Sequence, residues 1–259
     1  MMDFESRISK TMNKVNKCLL QLMRVKKSNL CLAVDLTRSA DILDIADRFG
    51  PHIVALKLHV CIIEDFDYQQ FTEGIGRLKE KHSFLVFEDF KFADIGSTNQ
   101  QLYVGGIFRI QDWADLITAH VISGPGAIEA LMKGVNSSGD PRGCLLIAKM
   151  SSKGSSLDEI ENCRQIGDKF PNFVSGFISQ SPVTNDPGFI QFTPGVNIDV
   201  NCGALGQQYV SPEEAVINRG ADIIIVGSGI LKSEDPLAKL LQFKQRGFNS
   251  YLKKITPSN

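Results

Sequence analysis

Phe87-Glu88-Asp89-Phe90-Lys91-Phe92-Ala93-Asp94-Ile95-Gly96 closes a hydrophobic run and sets two of its carboxylates, Asp89 and Asp94, with a lysine, Lys91, at the end. On a strand, Asp89 and Lys91 stand two apart and share one side. Asp94 follows, and Gly96 lets the chain turn there, so its carboxylate can fold back or reach a neighbouring subunit. A charged cluster at a strand exit asks what the other strands of the chain do at theirs.

Working outward, apolar runs recur at Leu30 to Leu36, Ile53 to His59, Ser83 to Asp89, Asp115 to Val121, Gly143 to Met150, Phe173 to Ser179, Phe189 to Thr193 and Ala221 to Val226. Helical spacing falls between or after them, over 39–49, 66–81, 98–108, 126–133, 157–169, 211–219 and 235–252. A further helix opens the chain at about 6–24, and the barrel is expected over about 30–252. The sixth connection, 180–188, is short and rich in Pro and Asn, so one crossover is expected to be degenerate. Eight strands alternating with helices in 259 residues point to an α/β (β/α)8 TIM barrel, a single domain spanning residues 1–259. Cys31, Ala33 and Asp35 share a face of the first run, and Ile53, Ala55, Lys57 and His59 a face of the second. Small residues lie deep and charges lie at the C-terminal ends. In a barrel those ends form one mouth, where Asp35, Lys57, Asp89 and Lys91 converge.

Composition narrows the function. With a formal net charge of -1 and no basic block beyond Arg24 to Lys27, nothing marks a nucleic-acid surface or a membrane patch. No apolar run approaches the roughly 18 residues of a membrane span. The polar stretch 6–17 stands where a signal peptide needs its apolar region, so a cytoplasmic protein is expected. A start at Met1 favours a free-standing chain. Cys18, Cys31, Cys61, Cys144, Cys163 and Cys202 form no C-x-x-C pair and read as reduced, mostly buried thiols with no metal to hold.

Alternating signs at the mouth keep each lysine protonated and each aspartate ionised, a state suited to donating a proton to carbon. The plainer alternative is a structural ion-pair network. Ile223 to Ile230 runs a buried strand into Gly227-Ser228-Gly229, where backbone N–H groups can approach phosphate oxygens; taken alone it is also an ordinary tight turn. Leu205 to Tyr209 offers Gln207 and Tyr209 as donors, and Met150 to Gly154 offers Ser151 and Lys153. His59 and His120 lie beside this face, whereas His52 and His82 read as surface positions.

Taken together, the segments Asn29 to Asp35, Leu56 to Val60, Asp89 to Gly96, Gly143 to Ala148, Thr193 to Val196, Gly206 to Tyr209 and Ile223 to Gly229 resemble orotidine 5'-monophosphate decarboxylases, in the form found as the C-terminal domain of eukaryotic UMP synthases. The likeness extends from about Lys17 to Leu252. It implies removal of CO₂ from carbon 6 of the orotate ring with no cofactor and no metal, on the route to UMP, by a homodimer with shared active sites. It implies that Lys91 protonates carbon 6, that Asp89 presses on the departing carboxylate, and that Asp94, with Ile95 and Thr98 from the partner chain, completes the array with Lys57. Asp35 and Lys57 would hold ribose hydroxyls with His59 near them. Ser151 would read the pyrimidine, Pro194 would pack beside it, and Gln207, Tyr209, Gly227 and Ser228 would hold the phosphate. D-x-K-x-x-D also occurs in hexulose-phosphate synthases, which use Mg²⁺, but Lys57 stands where those resemble one another in placing a metal-binding carboxylate.

The departures fall in the binding shell. Ser228 replaces the arginine usual in this family, Ala33 a serine, Leu58 a threonine, Cys61 an aspartate and Phe90 an arginine. Two readings follow: a decarboxylase with a weakened phosphate grip, or an impaired nucleotide-binding paralogue.

Overall fold

The computed structural model describes residues 3–135, 140–199 and 209–256. Eight parallel strands close into a barrel in sequence order. They are β1 (Leu30–Ala33), β2 (Ala55–Leu58), β3 (Leu85–Phe92), β4 (Leu116–Ala119), β5 (Gly143–Ile147), β6 (Val174–Ile178), β7 (Ile190–Thr193) and β8 (Ile223–Val226). All eight runs become strands, and β1 pairs with β8 through Leu30↔Ile224 to Leu32↔Val226. Inside, Phe87 and Phe192 meet edge to face at 5.8 Å, filling the barrel below its mouth.

Helices α1 (Phe4–Lys10) and α2 (Lys14–Lys26) stand where one opening helix is expected. The break has a local cause. Asn13 caps α2, its side chain accepting from Val15 N and Asn16 N, while Thr11 Oγ1 donates to the Gly188 carbonyl. From α2, Asn13 and Asn16 also donate to carbonyls of Asn172, Phe173, Ser175 and Gly188, so α2 is pinned at the N-terminal end of β6.

Around the barrel run α3 (Ser39–Phe49), α4 (Tyr68–His82), α5 (Gly96–Val104), α6 (Ile110–Trp113), α7 (Pro125–Lys133), α8 (Ile160–Lys169), α9 (Ser228–Leu231) and α10 (Pro236–Ile255), with a wide helical turn at Glu214–Asn218. The 180–188 connection is non-helical, as its Pro and Asn content anticipates. His82 is a correction: it packs under Gly50, with Nε2 2.6 Å from Asp47 Oδ1, and is no surface residue. Cys31, Cys144 and Cys163 are buried and Cys61 is exposed, while Cys202 lies outside the described residues.

Candidate active site

The mouth is built by an irregularity in β3. Register with β4 runs Phe87↔Leu116, Glu88↔Ile117, then Phe92↔Ala119, so four steps on β3 span two on β4. Lys91 absorbs the surplus with a left-handed backbone, φ 62°. The regular alternation that placed Asp89 and Lys91 on one side therefore does not hold; a bulge brings them together instead.

Across that bulge, Lys91 Nζ lies 2.8 Å from Asp89 Oδ2. Lys57 Nζ lies 3.4 Å from the same oxygen, 3.3 Å from Asp35 Oδ1 and 2.9 Å from His59 Nε2. Two ammonium groups thus face two carboxylates. Burial alone would push Lys57 down, but Asp89 and Asp35 outweigh it and hold the ammonium above its ordinary range. Burial would likewise raise Asp89, yet Lys57 and Lys91 hold it down at about 2. His59 is lowered by burial and then by Lys57, and the Lys57 ammonium, which can only donate, gives a hydrogen bond to Nε2 of the neutral ring.

A cavity of about 340 Å³ opens over this cluster. Asp35, Lys57, His59, Asp89 and Lys91 line it, as do Tyr209, Gly227, Ser228 and Gly229, with Ser151 and Pro194 among its walls. These expected residues are brought together. Among the described residues, the cations lining the cavity are Lys57 and Lys91. Gln207 lies outside the described residues, as do 200–206 and 208; that stretch contains no lysine or arginine.

Asp94, Ile95 and Thr98 are not brought to this cavity. Asp94 and Ile95 border a neighbouring shallow depression that shares Lys91 with the cavity and is also lined by Phe90, Asn99, Leu102 and Ser123. There Asp94 Oδ1 accepts from Ile95 N at 2.6 Å, and Asn99 ties the Asp94 backbone from both sides. Gly96 starts α5 and serves close packing instead of a turn, since a Cβ would sit 3.1 Å from the Gly126 carbonyl of α7.

Two residues escaped the reading of the sequence. Thr118 on β4 bonds both Asp89 and Lys91. Glu88, fully buried, accepts the Val60 N–H through both carboxylate oxygens and ties β3 to the loop after β2. Burial pushes its carboxyl well above the usual range. The available signals were a hydroxyl in an apolar run and an acid inside an apolar strand.

The closed barrel gathers two ion-paired lysines at the C-terminal ends of its strands, the face on which (β/α)8 enzymes carry their active sites. The model of the orotidine 5'-phosphate decarboxylase / HUMPS family matches residues 28–243. The chain belongs to that family. It is 42% identical to the orotidine 5'-phosphate decarboxylase of Candida tropicalis over 97% of this chain and 96% of that one. It is also 42% identical to the uridine 5'-monophosphate synthase of Bos taurus over 92% of this chain, and spans about half (49%) of that relative's length. The crystal structure of orotidine 5'-monophosphate decarboxylase from Methanocaldococcus jannaschii, complexed with inhibitor BMP, superposes at a TM-score of 0.65 with 22% identity, covering 85% of this chain and 98% of that chain. At that identity the likeness speaks for the fold.

Proposed function

We propose that the chain decarboxylates orotidine 5'-monophosphate to UMP in pyrimidine biosynthesis, with Lys91 as proton donor. The observation that carries this reading is the Lys91 ammonium held 2.8 Å from Asp89 at the end of the cavity. The Asp89 charge presses on the substrate carboxylate and favours its loss. The carbon–carbon bond breaks, CO₂ leaves, and the electron pair stays on carbon 6. Lys91 Nζ gives that carbon its proton and is reprotonated from solvent. The fixed ammonium groups stabilise the developing carbanion without reorganising, which is where most of the rate gain is expected. Asp35, Lys57 and His59 hold the ribose, Ser151 and Pro194 the ring, and Gln207, Tyr209, Gly227 and Ser228 the phosphate.

In this reading the chain works as a homodimer, with Asp94, Ile95 and Thr98 completing the partner's site. Support comes from Asp94 and Ile95 bordering a depression outside their own cavity, where Ile95 is 63% exposed and Ile122, the neighbour of Ser123 in the chain, is 79% exposed.

Purified protein is expected to consume orotidine 5'-monophosphate with loss of the orotate absorbance. Lys91→Ala should lower turnover by about 10⁴-fold while the protein still melts cooperatively, because it removes the proton source and part of the electrostatics. A clean preparation with no turnover sinks the proposal. Exposed Ser228, a neutral residue where the family has arginine, favours a second reading as a nucleotide-binding paralogue without turnover. Calorimetric binding of UMP by a protein that converts nothing would select it.

A further inference from the structure

Thr118 does not line the cavity and is fully buried, yet two groups of the β3 bulge depend on its hydroxyl. Thr118 Oγ1 accepts the Lys91 backbone N–H at 2.9 Å and donates to Asp89 Oδ1 at 2.8 Å. A hydroxyl has one proton, so the sense of the two bonds is set: the proton goes to the carboxylate and a lone pair to the amide. The left-handed backbone of Lys91 is unfavourable for a residue with a side chain and persists only where its surroundings hold it. The bulge also takes the Lys91 amide out of the regular ladder, and an unpaired amide there would be costly.

We propose that Thr118 is a positioning residue for the lysine–carboxylate pair. One hydroxyl holds the backbone turn that aims Lys91 into the cavity and the Asp89 orientation that presents Oδ2 to both ammonium groups. Asp89 Oδ1 is occupied by Thr118, and Oδ2 is the oxygen that meets Lys91 at 2.8 Å and Lys57 at 3.4 Å. Without the hydroxyl, the carboxylate is free to rotate and the Lys91 amide loses its acceptor. The kinetic consequence rests on the decarboxylase reading; the structural one does not.

Thr118→Val keeps the shape and removes the hydroxyl, whereas Thr118→Ser keeps the hydroxyl and removes the methyl. Thr118→Ala is a second apolar variant in case valine crowds the site. The apolar variants are expected to lose about ten- to a hundredfold in kcat, the range of one hydrogen bond to a charged group. KM should stay within about threefold, since Thr118 makes no contact with the cavity. Thr118→Ser should retain most of the turnover. Amide hydrogen exchange supplies a readout independent of activity: Lys91 should exchange at least about tenfold faster in the apolar variants and slowly in the serine variant, with the β4 amides still protected. Wild-type kcat in the apolar variants, an unaltered Lys91 exchange rate, or a serine variant as impaired as the valine one overturns the proposal. If the unaltered protein shows no turnover, the decarboxylase reading fails, and the Lys91 exchange rates still decide the role of Thr118.

Discussion

At residue 228 the chain places an exposed residue with a neutral hydroxyl, flanked by Gly227 and Gly229, on the lining of a cavity whose cations among the described residues are Lys57 and Lys91. A hydroxyl offers one hydrogen bond and no charge, and a phosphate dianion gains most from a guanidinium fork. Ser228→Arg is therefore expected to tighten UMP binding by about ten- to a hundredfold, measured by calorimetry. The same variant should leave the Lys91–Asp89 pair untouched, so any gain in turnover comes through substrate binding. Unchanged affinity would show that the phosphate is held by other groups. This departure was legible from residue type alone, because a missing charge needs no coordinates to be seen. Thr118 was not: a threonine in an apolar run gives no sign of what its hydroxyl meets on another strand.

At the scale of elements, β3 and its junction with α5 do most of the positioning. Strand, bulge and helix start within 85–96 set Asp89 and Lys91 on the cavity and Asp94 and Ile95 on the neighbouring depression, with Lys91 lining both. The packing around this unit is close. Gly96 nests against α7, and at Gly176 on β6 a Cβ would lie 1.9 Å from the Ile190 carbonyl oxygen of β7. An outward apolar rim next to a carboxylate suits a second copy of the same surface. Ile95→Glu is expected to split the proposed homodimer into monomers in sedimentation and to lower turnover with it, since Asp94 would no longer reach a partner's cavity. Monomeric wild-type protein with full activity would sink that arrangement.

At the scale of the whole molecule, one buried charge network ties the chain's two ends to the barrel. Arg7 of α1 reaches Asp222 at 2.8 Å and Tyr251 OH of α10 at 2.8 Å, and Lys254 reaches Asp222 at 3.0 Å. Arg7 also donates to the Pro187 and Phe189 carbonyls, and Asp222 accepts from Gln191 N, so the ions are well satisfied. Burial would raise Asp222, but Arg7 and Lys254 outweigh it and hold the carboxyl well below its ordinary range. In the unfolded chain an aspartate titrates near 3.9 or so. As the pH falls toward that value the unfolded state binds a proton that the native state refuses, so the contribution of Asp222 is complete above about pH 5 and shrinks as the solution is acidified. Urea midpoints should fall between about pH 5 and pH 3 in the wild-type protein. Asp222→Asn should cost about 3 to 5 kcal/mol at pH 7 and flatten that acid slope. An equal slope in both proteins would assign the acid sensitivity to other carboxylates.

The amino-acid sequence by itself determined the eight strands, the helices between them, the missing sixth helix and the charges at three strand ends. Those follow from local periodicity and turn chemistry, which each segment carries with it. Only the tertiary structure decided how the charges meet. The Lys91 bulge replaced simple alternation, and Thr118 and Glu88 joined β3 to its neighbours on either side. Each of these depends on a partner far away in the chain or on a departure from regular backbone geometry. Neither leaves a periodic trace along the sequence, so only the closed barrel reveals them.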